Sequence, residues 1–169
     1  MIDKRKEIPT LASINAQIIQ DADSSGMLLP SIRRVEEGYQ LLPNSLVVIN
    51  SAYLVSLLYC LIVVPKELWL RDKHHPLFAR ISPDDLLGLF VIKQKSSDFD
   101  SEPVYNFLRH FRNAISHVRF SIGEDGVFTF WDQKNDSSPW NFEASASERS
   151  TEIFLSTVGS LLANLRTEG

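Results

Sequence analysis

Between Pro103 and Ile122 the apolar residues change their spacing from that of a helix to that of a strand, and this change constrains the chain more than any other feature. Val104, Phe107, Leu108, Phe111, Ile115 and Val118 fall within an arc of about 100° when successive residues are turned by about 100°, so an amphipathic helix is predicted from Pro103 to Val118. From Val118 the period is two. Val118, Phe120 and Ile122 alternate with Arg119 and Ser121, Gly123-Glu124-Asp125-Gly126 supplies a turn, and Val127 to Trp131 runs back, which predicts a β-hairpin.

The segments on either side read mostly as helix. Leu11, Ile14 and Ile18 mark a first helix over about 8–25, with Gly26 as its stop. A second follows Pro30, capped by Ser31 and carrying Ile32, Val35, Tyr39 and Leu42 until Pro43. The apolar run Leu46–Val64 is long enough for a bilayer, but its Asn50, Ser51 and Ser56, and the amphipathic helices that need a centre to pack on, make it a buried core helix ended by Pro65. Lys66–Arg80 reads as a helical turn and a surface loop. Ser82-Pro83-Asp84-Asp85 starts a helix expected to reach Lys93, and the acidic run Gln94–Pro103 reads as a flexible loop. Trp140–Glu143 is a candidate third strand. Ser145 with Glu148 forms a capping box for a last helix carrying Ile153, Phe154, Val158, Leu161 and Leu162. The expected architecture is mainly α, with a small antiparallel hairpin inserted before the last helix.

A chain of 169 residues with 44% hydrophobic and 22% charged positions suits one domain, residues 1–169. A net charge of -4 excludes a general basic coat for long nucleic acid but leaves room for a local basic cleft. The single cysteine, Cys60, cannot form an internal disulfide, and no Cys/His set has metal-ligand spacing, so a reducing, cytoplasmic setting without structural zinc is expected. The start MIDKRKEIPT lacks the apolar run of a secretory signal.

The arc opposite the apolar face of residues 103–118 holds Arg109, His110, Arg112, Asn113, Ser116 and His117, groups able to bind phosphate or move protons. Within it, Arg112-Asn113-Ala114-Ile115-Ser116-His117 resembles the RxxxxH signature, with Asn after the Arg, of the HEPN superfamily (higher eukaryotes and prokaryotes nucleotide-binding). That resemblance implies a helical bundle with the motif late in the chain, in a branch with a small β-element before the last helix. It further implies a metal-independent endoribonuclease without cofactors, of the kind found as prokaryotic toxins or defence effectors, acting on RNA and silenced by an antitoxin or a modifying enzyme. The products would be a 2′,3′-cyclic phosphate and a 5′-hydroxyl.

The residue types suit that reaction. The imidazole of His117 is a group that can take a proton from a ribose 2′-OH or give one to the leaving oxygen. Arg112 can hold the phosphate and the charge of the transition state, and Asn113 can fix a ring tautomer or donate to substrate. Arg109, His110, Ser116 and Arg119 are candidate substrate-binding neighbours. Residues five apart on a helix project about 140° from one another, so Arg112 and His117 of one helix diverge. Two copies about a two-fold axis would bring Arg112 of one to His117 of the other, and a homodimer is expected. Residues 102–119 hold three Arg against one acid, Glu102, so the shared cleft would be cationic. The alternative is a HEPN module that binds a nucleotide or partner without cleaving.

Other chemistry-bearing residues have simpler readings. His74-His75 beside Asp72 reads as a solvated loop, Cys60 as a core residue, and Trp69, Trp131 and Trp140 as core or rim. Glu36 and Glu37 are the remote acids that could complete the site.

Overall fold

The computed structural model describes residues 4–47, 50–68, 70–135 and 138–165. Helix α1 (Lys4–Ser24) is followed by Gly26 at φ +73, the left-handed stop that a glycine adopts without steric cost. Helix α2 (Leu29–Gly38) carries Pro30 in its first turn and starts from Leu28, so Ser31 lies inside it. The α1 face bearing Leu11, Ile14 and Ile18 is exposed. The helix docks instead through its small residues, with Ser13 buried and Ala12 against the core.

The central apolar helix starts later and runs further than its hydropathy suggests. Asn50 caps it, its Oδ1 accepting from Tyr53 N–H at 3.0 Å. Helix α3 (Ser51–Leu58) passes through a π turn, Tyr59–Val63, into α4 (Val64–Leu68). Pro65 therefore does not end the helix. The Val64 N–H reaches back to Tyr59 O, and the extra residue of the π turn accommodates the proline's missing donor and its ring. Val48 and Ile49 of the predicted run, and Trp69, lie outside the described residues. Among those described, no helix is long and apolar enough to cross a membrane.

Helix α5 (Pro76–Ala79) is capped by the His75 ring, whose Nδ1 accepts from Leu77 N–H at 3.2 Å. Helix α6 (Pro83–Leu87) is capped by Ser82 as its sequence predicts, but it stops at Gly88. The residues beyond leave the helix because Val91 and Ile92, both β-branched, pair with a strand. They form β1 (Val91–Gln94), and the 3₁₀ turn Phe99–Ser101 leads into α7 (Pro103–Ser116).

The hairpin of β2 (Phe120–Ile122) and β3 (Val127–Asp132) stands where the periodicity put it, with Phe120 opposite Phe130. The third strand, β4, is Phe142–Ser147, so Ser145 is a strand residue. Ser147 takes over the cap of α8 (Glu148–Leu165), its Oγ accepting from Ser150 N–H at 3.1 Å. The sheet is antiparallel, in the order β1-β4-β3-β2.

Helix α7 lies between this sheet and the π segment of the central helix. Phe107 and Phe111 of α7 stack on each other and meet Phe90 and Phe154 edge to face or tilted, and Phe111 reaches Phe130 of β3 with ring centroids 4.3 Å apart. Each such ring removed from water contributes roughly 1.5 to 3 kcal/mol. Because α7 is covered on two sides, residues of its polar arc are buried as well, and that places the chemistry described next.

Candidate active site

Along β3 the residues alternate inward and outward, with Phe128, Phe130 and Asp132 inward. Asp132 thus carries a carboxylate into the core face. The fold sets α7 over it, and His110 Nδ1 meets Asp132 Oδ2 at 2.8 Å, with both side chains almost fully buried. The His110 ring stacks on Phe142 at 5.0 Å. Asn113, one turn along the helix, donates from Nδ2 to the same Oδ2 at 2.9 Å.

The network extends both ways. Arg112 Nη1 donates to Asn113 Oδ1 at 2.8 Å, and Arg112 Nη2 pairs with Glu67 of α4 at 2.7 Å. At the other end, His110 Nε2 faces Ser96 Oγ at 2.8 Å and Arg109 Nη2 at 3.3 Å, and Arg109 pairs with Asp98 at 2.8 Å. The acidic loop read as flexible is therefore tied down, with Phe99 buried and Asn106 Nδ2 donating to Asp98 O at 2.8 Å. Arg119 of the turn into β2 folds inward, giving Nη1 to Gln133 O at 2.9 Å and lying 3.5 Å from Asp132 Oδ1. Glu67, Arg112, Asn113, Asp132, His110 and Ser96 form one continuous hydrogen-bonded chain across α4, α7, β3 and the loop after β1.

The charges in it are strongly interacting. Burial raises the pKa of Asp132, but the hydrogen bonds from His110 and Asn113 outweigh it, and the carboxyl ends below its ordinary value. The hydrogen bond from Ser96 lowers that of Asp98 further than its partial burial raises it, with Arg109 adding to the effect. Lys66 is buried under the same end of α7. It donates from Nζ to Leu70 O at 2.7 Å and lies 3.5 Å from the centre of the Tyr105 ring. Burial, then the positive charges of Arg112 and Arg109, bring its pKa down to about 8.

His117 stands apart from this chain. It is the C-terminal cap of α7, exposed, and among the described residues its side chain makes no hydrogen bond or ion pair. The helix closes there with Val118 N–H on Ile115 O at 3.1 Å and Arg119 N–H on Ala114 O at 2.7 Å, the two bonds of a Schellman motif. That motif needs a left-handed residue, and the chain supplies Val118 at φ 55, a position where a β-branched side chain is strained. Ser116 Oγ, Arg112 Nε and Arg109 Nε are buried without partners among the described residues. Residues 109, 112 and 116 share one helix face, so these unmet polar atoms lie in one stripe.

Of the sequence-predicted residues, Arg109, His110, Arg112, Asn113 and Arg119 are thus gathered around Asp132, whereas His117 sits exposed at the end of the helix beside a half-buried Ser116. His110, expected on a polar face, is 1% exposed. Asp132, Glu67, Ser96 and Asp98 were not singled out for the site by the sequence reading. Only Asp132 had a visible signal, an acid at the inward phase of a strand. Glu36 caps its own loop, accepting from Asn44 and Leu46 N–H at 3.1 and 2.9 Å, and among the described residues nothing links it to α7.

Comparison with known proteins bears on the whole chain. The family model described as HEPN pEK499 p136 matches residues 3–168. Neither the comparison with curated proteins nor that with solved structures finds a match.

Proposed function

The chain belongs to the HEPN pEK499 p136 family, and on that premise we propose that it is a metal-independent endoribonuclease whose site is the C-terminal half of α7. The observation that carries this reading is the pairing of two kinds of group within one and a half turns: an exposed, unpartnered imidazole at His117 and a positioned guanidinium at Arg112. His117 takes the 2′-OH proton, the 2′-oxygen attacks the adjacent phosphorus, and as the bond from phosphorus to the 5′-oxygen breaks that oxygen takes a proton from water. Arg112, aimed by Asn113, holds the phosphate as charge builds on its oxygens. Arg109, Ser116 and Arg119 line the approach. Arg112 and His117 diverge around their helix, so a second copy of the chain supplies the complementary residue across a two-fold axis. A toxin or defence effector, restrained by an antitoxin or a modifying enzyme, is the role that fits such an activity.

One observation favours the second reading, a module that binds nucleotide or partner without cutting: Glu67 already occupies Arg112. The deciding experiment is cleavage of a mixed tRNA and single-stranded RNA pool in excess EDTA by the native protein, Arg112→Ala and His117→Ala. Cleavage by the native protein alone, with cyclic-phosphate ends, is expected. RNA bound but intact in every lane would establish the binding module instead.

A further inference from the structure

Ser96, His110 and Asp132 lie too far apart in sequence to be seen as a set, yet the fold lines them up. Ser96 Oγ is 2.8 Å from His110 Nε2, and His110 Nδ1 is 2.8 Å from Asp132 Oδ2. Arg109 Nη2 approaches the same Nε2 at 3.3 Å. A guanidinium can only donate, so Nε2 is the lone-pair nitrogen and the ring proton sits on Nδ1, facing the carboxylate. This is the tautomer of a general base, held by an acid behind it and a stacked Phe142 beneath it. The histidine and aspartate are buried, whereas Ser96 is half-buried on the outer side of the relay. Arg109 has its side chain 35% exposed and is paired with the exposed Asp98, so its guanidinium borders the serine from the solvent side.

We propose that Ser96 is a nucleophile toward phosphate esters, activated by His110 and Asp132, with Arg109 holding the anionic group. The Oγ–P bond forms as the bond from phosphorus to its leaving group breaks, and the leaving group departs with the electron pair. The serine hydroxyl, which also hydrogen-bonds to Asp98, turns to His110 Nε2 and passes its proton there, and the imidazolium is stabilised by Asp132. The imidazolium hands that proton to the departing group, and the freed imidazole then deprotonates the water that releases the phosphate from serine. A phosphate suits the place because its oxygens can take the position that the Asp98 carboxylate holds on the Arg109 guanidinium at 2.8 Å. The relay uses neither Arg112 nor His117; it meets the RNA-cleaving site through Asp132, which Asn113 shares, and through Arg109.

The test is reaction of the full chain with a fluorophosphonate probe, in which fluoride is the leaving group, followed by mass mapping of the modified serines. Ser96 is expected to react at least about a hundredfold faster than the exposed Ser31 and Ser121 of the same molecules, the smaller end of what a positioned base supplies. His110→Gln, with its fold checked by circular dichroism, is expected to bring Ser96 down to their rate. Ser96 reacting no faster than Ser31 in the native protein overturns the proposal, as does an undiminished rate in a folded His110→Gln variant. If that variant does not fold, the ratio within the native protein decides alone.

Discussion

Replacing Asp132 with alanine tests the network at its centre. The carboxylate receives His110 Nδ1 at 2.8 Å and Asn113 Nδ2 at 2.9 Å, and Arg119 Nη1 lies 3.5 Å away. Alanine leaves two buried donors without an acceptor, at about 1 to 3 kcal/mol each, and removes the partner of a nearby cation. The sum is about 3 to 5 kcal/mol, the usual cost of breaking a buried charged pair from one side. For a chain of 169 residues, with roughly 2 to 4 °C per kcal/mol, the Tm should fall by roughly 10 °C at pH 7. Asp132→Asn, which keeps the shape and one acceptor oxygen, should lose less. The pH dependence follows from the direction of the shift. The folded carboxyl has its pKa below the ordinary value, so its stabilisation is fully present above about pH 4 and is lost as pH falls through the lower, folded value. The gap between native and alanine proteins should therefore be constant from neutrality down to about pH 4 and close only in stronger acid. Thermal melts across that range decide it: a loss under about 3 °C at pH 7, or a gap that widens in acid, refutes the argument.

Three further outcomes can be checked on the same material. Glu67→Gln releases Arg112 from its 2.7 Å pair and should tighten binding to a short single-stranded RNA by about three- to tenfold at low salt; weaker binding would mean that Glu67 positions the guanidinium rather than competing for it. Val118→Gly should raise stability by about 1 kcal/mol, because φ 55 costs a β-branched residue what it does not cost glycine, and a drop in the urea midpoint would contradict that conformation. The pKa of Lys66 is lowered on folding from 10.5 to about 8, so its charged form opposes the fold below about pH 8 and that penalty lifts as pH rises toward 10.5. The native protein should accordingly gain on the order of 3 kcal/mol relative to Lys66→Met across that interval, and parallel curves for the two proteins would rule the buried charge out.

What the sequence discloses here is what depends on neighbours along the chain. The period change at Val118 places α7 and the hairpin because each rests on residues within a few positions of one another, and Ser82-Pro83 marks α6 for the same reason. The end of α6, the fate of Pro65 and the true cap of α8 are decided by long-range partners. Val91 and Ile92 are strand residues because Ser145 and Ala144 lie opposite them. The site divides along the same line. Arg112, Asn113 and His117 are legible as a local motif, but what makes Arg112 and Asn113 rigid is Glu67 and Asp132, which reach them from α4 and β3. A single-faced helical wheel also misassigned His110, since it treats everything off the apolar arc as solvent-facing. An α-helix covered on two sides buries a second stripe, here Asn106, His110 and Ala114, four residues apart and so on one face. A polar residue in that stripe must find a buried partner. The inward phase of Phe128 and Phe130 puts Asp132 where such a partner is needed. Reading the two periods together, helix and strand, would have paired His110 with Asp132 before any coordinate was known.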